Sequence, residues 1–203
     1  MYEINGNNFA DRSLVSQVLN GNPGAFKIII KDTEKLIAQI IFKMIGNAED
    51  RKDIAQDVYL KAFHGLTSFR FESKLSTWIA QITYNTCLNY LDKKKLLLFY
   101  YSGEEDEYQE ELIDNLHFKH THYNNETEAS IHNKELAELL KMEIDKLSPI
   151  YRTLITLYHN ESLSYAELSL VTGLPEGTVK SYLFRARKEL KDNLAKKFKK
   201  EML

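Results

Sequence analysis

Leu163-Ser164-Tyr165-Ala166-Glu167-Leu168, followed by Gly173-Leu174-Pro175-Glu176-Gly177-Thr178-Val179-Lys180-Ser181 and then Leu183-Phe184-Arg185-Ala186-Arg187-Lys188-Glu189-Leu190, is the stretch that decides the fold. Ser164 and Glu167 have the S-x-x-E spacing of a capping box, in which each side chain satisfies the other residue's backbone N–H at a helix start. The short helix so predicted ends near Gly173. Leu174-Pro175 makes the turn, and Pro175 is pre-set for the first position of a final helix reaching the basic tail Lys196-Lys197-Phe198-Lys199-Lys200. Two helices joined in this way have the layout of a helix-turn-helix, whose second helix enters the DNA major groove. Stepped at about 100° per residue from Val179, the residues Val179, Tyr182, Leu183, Ala186 and Leu190 fall in one arc between about −60° and +40° and are read as core. Ser181, Arg185 and Lys188 lie opposite, with Lys180, Phe184, Arg187 and Lys191 on one shoulder. An arginine on such a face can donate two hydrogen bonds to a guanine edge, and lysines neutralise phosphates.

Working outward, three prolines and eight glycines punctuate the 203 residues, and apolar residues recur at three and four positions between them. The expected class is therefore all-α. Lys134–Leu147 reads as an amphipathic helix, and Ser148-Pro149 as N-cap and first position of the next, to Tyr158. Towards the N-terminus a helix is expected over Asp11–Leu19, then a turn at Gly21-Asn22-Pro23-Gly24, then a pair of helices to Ile45. Gly46 fits a C′ position and Asn47 caps a helix to His64, with Glu49 and Asp50 placed well against its dipole. Thr67–Lys74 reads as a loop, and Leu75, Trp78, Ile79, Ile82 and Thr86 resume helical spacing to Leu91. The run Leu96–Tyr101 is apolar and ambiguous.

The formal charge is −2. It is unevenly spread: residues 1–98 carry +3, 99–133 carry −8 and 134–203 carry +3. Two small helical domains, 1–98 and 134–203, joined by an acidic flexible linker over 99–133, are the expected organisation. His117, His120, His122 and His132 lie in or beside that linker without cysteines or zinc-type spacing, so no metal and no cofactor is expected. Cys87, the one cysteine, cannot pair within the chain and is read as ordinarily buried. No apolar run reaches the length of a membrane span and the polar start lacks a signal-peptide pattern, so the expected localisation is cytoplasmic. A Gly-rich phosphate loop and a Ser/His/Asp pattern are both missing, so no catalysis and no small-molecule substrate are expected.

The C-terminal stretch resembles region four of bacterial sigma factors of the extracytoplasmic-function (ECF) group. The block Ala48-Glu49-Asp50-Arg51-Lys52-Asp53-Ile54-Ala55-Gln56-Asp57-Val58-Tyr59-Leu60-Lys61-Ala62-Phe63, with Phe69-Arg70-Phe71-Glu72-Ser73-Lys74-Leu75-Ser76-Thr77-Trp78-Ile79 and Ile82-Thr83-Tyr84-Asn85, resembles region two of the same family. The resemblance covers roughly Leu14 to Leu194. It implies that Lys180, Ser181, Phe184, Arg185 and Lys188 meet the minus-thirty-five promoter element. It also implies that Phe69, Arg70, Phe71, Ser73, Lys74, Trp78 and Asn85 serve the minus-ten element, and that Asp53, Gln56, Asp57 and Lys61 dock on core RNA polymerase. The physics of strand opening agrees: an unstacked base needs a pocket that stacks it and contacts its edge. For Phe69 and Trp78 taken singly, core packing is the simpler reading.

The family's pattern is departed from at three positions. Phe71 stands where the family usually has glycine, and Gln81 and Tyr182 where it has arginine. The loss at Gln81 should weaken a phosphate contact, and Tyr182, on the core margin, does not replace a base contact. The implied partners are core polymerase, promoter DNA and an anti-sigma factor. A free coil over 99–133 spans about 33 Å, whereas promoter elements two or more helical turns apart are separated by at least about 70 Å. The two domains are therefore expected to pack together when free and to separate on polymerase.

Overall fold

The computed structural model describes the backbone of residues 7–102 and 131–201 and the side chains of residues 9–95 and 137–197. The acidic run Gly103-Glu104-Glu105-Asp106-Glu107 and His117, His120 and His122 lie outside the described residues. Those described form helices α1 (Asn7–Leu19), α2 (Pro23–Met44), α3 (Ala48–Gly65), α4 (Leu75–Ser102), α5 (Ile131–Asp145), α6 (Pro149–His159), α7 (Tyr165–Thr172) and α8 (Glu176–Glu201), with a 3-10 turn at Leu66–Ser68. Among the described residues there is no strand, and no helix is long and apolar enough to cross a membrane.

The helix ends follow their capping residues. Gly21 turns with φ +85°, and Asn22 caps α2 by accepting from the Gly24 N–H at 2.9 Å. The pair of helices expected before Ile45 is one continuous helix, because no glycine or proline interrupts residues 25–44. Gly46 is not used as a left-handed cap. Ile45 leaves the helix in extended conformation, and the Arg51 guanidinium donates to the carbonyls of Ile45 (2.8 Å) and Gly46 (3.1 Å) instead. Asn47 caps α3 as expected, accepting from the Glu49 N–H at 2.8 Å. α4 does not stop at Leu91 but runs to Ser102, and α5 starts at Ile131, so helix occupies both ends of the segment expected to be linker. Pro149 takes the first position of α6, but Ser148 makes no side-chain cap bond.

In the N-terminal half α2 packs on α1, α3 and α4; in the C-terminal half α8 packs on α5, α6 and α7. Ile29, Ile37, Ile40, Val58, Ala62 and Ile79 fill the first half, Leu154, Leu157, Leu168, Val179, Leu183 and Ala186 the second. Each large aliphatic side chain taken from water contributes roughly 1.5 to 3 kcal/mol. The two halves also pack on each other, α2 against α6 and α4 against α7, and their buried residues form a single apolar cluster. Polar contacts seal that seam. Lys43 reaches Asp145 at 2.7 Å, Lys35 reaches Glu161 at 3.3 Å, and Arg152, only 4% exposed, donates to the Lys43 carbonyl and at 3.1 Å to that of Asp145. The packed arrangement expected of the free chain is the one observed.

Candidate nucleic-acid interface

The C-terminal unit is built on two caps. Ser164 Oγ accepts from the Glu167 N–H at 3.2 Å while Glu167 Oε2 accepts from the Ser164 N–H at 3.0 Å, completing the capping box. Gly173 closes α7 in the left-handed region at φ +71°. α8 then begins at Glu176, one residue later than expected: Pro175 lies just outside it, and its carbonyl accepts from Thr178 and Val179. Val179, Leu183 and Ala186 are fully buried and Leu190 nearly so. Lys180, Ser181, Phe184, Arg185, Arg187, Lys188 and Lys191 are exposed, and Phe184 is 68% exposed. Tyr182 is half-buried with its ring against Tyr151, the core-margin place its position on the wheel predicts.

The cations on the flank of this face are held by tyrosines. Lys180 lies over the Tyr165 ring at 5.3 Å and Arg187 over Tyr158 at 5.0 Å, and the two tyrosine rings stack on each other at 5.1 Å. Lys180 is further drawn towards Glu176, one turn back at 3.9 Å.

In the N-terminal unit Asp53, Gln56, Asp57 and Lys61 are exposed on α3, with Asp57 and Lys61 paired at 2.6 Å. Leu60 and Phe63 are exposed beside them, 59% and 46%. Sequence reasoning did not single these two out, although their apolar character on the polar side of the helix was the available signal. In the following loop Phe69 is buried and packs on Trp78 (4.9 Å) and Phe71 (4.6 Å). Trp78 sits so close to α3 that a Cβ on Gly65 would stand 3.1 Å from its ring. These two rings pack inward, while Arg70, Lys74 and, on α4, Asn85 are exposed and Ser73 is half-buried. Phe71 has φ +59°, a left-handed conformation that costs a residue with a Cβ roughly 1 to 2 kcal/mol and a glycine nothing. The family's usual glycine at this position has a backbone reason, which this chain overrides.

The loop is held from α1, which local sequence patterns do not reveal. Asp11 accepts from the Leu75 N–H at 2.8 Å, capping α4 across the fold, and the Arg12 guanidinium lies 4.4 Å from the Phe71 ring centroid. Lys74 is paired across the seam with Glu167 of the capping box at 2.8 Å. Burial acts to raise the Glu167 carboxyl, but hydrogen bonds from Lys74 and from the Ser164 N–H and hydroxyl outweigh it and hold the group below its ordinary value. Burial, then the neighbouring Tyr182 and Cys87, push the Tyr84 hydroxyl up to about 12.

Residues 29–96 match the family model for sigma-70 region 2 and residues 137–190 that for sigma-70 region 4. The ECF RNA polymerase sigma factor SigW of Bacillus subtilis is 31% identical over 185 residues, covering 89% of this chain and 94% of that protein. The chain belongs to the ECF sigma factors. The ECF RNA polymerase sigma-E factor of Escherichia coli K12 is 29% identical over 180 residues, covering 89% and 92% of the two chains. The fold is similar to that of the sigma factor RpoE of Bartonella quintana, solved with the anti-sigma factor NepR (TM-score 0.64, 21% identity, 84% of this chain and 96% of that one). It is also similar to CnrH, solved with the cytosolic domain of CnrY (TM-score 0.61, 22% identity, 92% and 97%). As a member of its family, this sigma factor binds core RNA polymerase and directs promoter-specific initiation, its C-terminal helix-turn-helix taking the minus-thirty-five element and its N-terminal unit the minus-ten element.

Proposed function

We propose that the face of α8 carrying Lys180, Ser181, Phe184, Arg185 and Lys188 reads the minus-thirty-five element. The observation that carries this is Phe184, 68% exposed among polar and cationic side chains opposite a fully buried face. A bare phenylalanine is poorly placed for solvent and well placed for a thymine methyl. Arg185 supplies the base-edge contact and Lys180 and Lys188 the phosphate contacts. In the N-terminal unit Arg70, Phe71, Ser73, Lys74 and Asn85 serve the minus-ten strand, with Phe69 and Trp78 supporting the loop from beneath. Asp53, Gln56, Asp57 and Lys61 dock on core polymerase, and exposed Leu60 and Phe63 extend that contact. The chain performs no chemistry of its own, and the polymerase makes the phosphodiester bonds in the cytoplasm. Control by an anti-sigma factor is supported by the two solved relatives, both of which were captured with such partners or with a partner's cytosolic domain.

The rival is a helix-turn-helix regulator that binds a palindromic duplex by itself. Gel-shift titration on promoter DNA with and without core enzyme separates the two. The sigma factor binds weakly alone and gains promoter specificity with core; specific binding to a palindrome without core would establish the rival.

A further inference from the structure

The residues flanking the start of α4 do not supply its cap. Its first turn closes from the Trp78 N–H to the Lys74 carbonyl at 3.1 Å, which makes Lys74 the N-cap, and a lysine side chain has no acceptor. Ser73 turns its hydroxyl to the Lys74 carbonyl at 3.3 Å, and the first turn of α4 carries no acid. The acceptor comes from 64 residues away, where Asp11 of α1 takes the Leu75 N–H at 2.8 Å. A carboxylate in that place satisfies an orphan donor and complements the helix dipole. Helix α1 is itself fixed, since Val15 and Val18 are buried and the helix packs on α2. It lies outside residues 29–96, the span matched to sigma-70 region 2, and the assignments above give it no part in transcription.

The loop that ends at this cap is under strain, because Phe71 holds φ +59°. Exposed loops open locally at little cost, so a single contact at their anchor shifts how much of the chain holds the observed conformer. We infer that Asp11 is a positioning residue for promoter opening. It touches no DNA. It pins the junction of the loop with α4, so that Arg70, Ser73 and Lys74 are presented in one arrangement, and the chain's grip on the minus-ten strand scales with the fraction of molecules so pinned. This rests on the minus-ten assignment above and adds to it an element that lies elsewhere in the chain.

The test uses holoenzyme reconstituted with core polymerase and permanganate reactivity of minus-ten thymines as the measure of opening, with core affinity and hydrogen exchange of the sigma factor read in parallel. Asp11→Ala should lower the opening equilibrium about five-fold, what a lost cap is typically worth, and speed exchange at the Leu75 amide, while core affinity stays at the wild-type value. Asp11→Asn, whose amide oxygen still accepts, should restore most of both. Unchanged opening in Asp11→Ala overturns the inference. So does a parallel loss of core affinity, which would make Asp11 a residue of general stability, and so does Asp11→Asn that opens no better than Asp11→Ala. Wild type that opens promoters equally well with Lys74→Ala and Arg70→Ala overturns the minus-ten assignment beneath the inference, and wild type that opens no promoter overturns the sigma-factor reading itself.

Discussion

Arg185 and Lys188 stand one turn apart on the exposed face of α8, and the proposed reading gives them different work. A bidentate arginine reads one base pair and a lysine neutralises a phosphate without reading sequence. Arg185→Ala should therefore cost about 1 to 3 kcal/mol of discrimination at a single base pair of the minus-thirty-five element. Lys188→Ala should weaken binding to all sequences alike and reduce the salt slope by about one. Holoenzyme binding measured by fluorescence anisotropy across single-base-pair variants and salt concentrations checks both; uniform loss in Arg185→Ala would contradict the assignment. Cys87 is fully buried, and burial pushes its thiol up to about 12. Since only the thiolate attacks, Cys87 should resist thiol reagents at pH 8 in the native protein and react once it is denatured. Rapid native labelling would show that α4 opens far more readily than its packing implies.

Among the elements, α7 depends on its capping box. Ser164→Ala should destabilise the C-terminal unit by about 0.5 to 2 kcal/mol in a denaturant melt. Glu167 adds a pH dependence with a definite sign. Its carboxyl lies below the ordinary value of 4.5 in the folded chain, so the stability it contributes is present above that ordinary value and is lost as pH falls through the lower, folded one. The urea midpoint should fall in that acid range, and Glu167→Gln should flatten the fall; an unchanged profile would mean that the Lys74 and Ser164 contacts contribute nothing. These caps were legible in the sequence because residues three apart make them, as with Ser164 and Glu167, or because one residue sets the backbone, as with Gly173. The buried face of α8 was legible for the same reason, since helical periodicity is local. Asp11 capping α4 and Arg51 closing α2 were not legible. Asp11 reaches across the chain to Leu75, and although Arg51 lies near Ile45 and Gly46 in sequence, nothing in the spacing of either residue marks its partner. Phe71 was visible as an odd residue in its loop, but its left-handed backbone and the guanidinium above it are properties of the folded chain.

For the whole molecule, the uneven charge and the reach of the intervening chain led to the expectation of packed halves, and the seam between α2 and α6 and between α4 and α7 is where they meet. The same seam holds Lys74, proposed above to serve the minus-ten strand, against Glu167 of the helix-turn-helix. Promoter elements at least about 70 Å apart cannot both be engaged in that arrangement, so the proposed reading requires the halves to separate on polymerase. Small-angle scattering of the free protein should give a compact particle. Lys43→Glu combined with Lys74→Glu, which places like charges opposite Asp145 and Glu167, should shift it towards an extended one. A free wild-type protein that is already extended would remove the packed state from the cycle. Run-off transcription from genomic promoter fragments, with core polymerase alone and with this chain added, bears on everything above. Transcripts from a defined promoter class that appear only when the chain is present, and are lost with Arg185→Ala, are the predicted result; no stimulation on any promoter would contradict it.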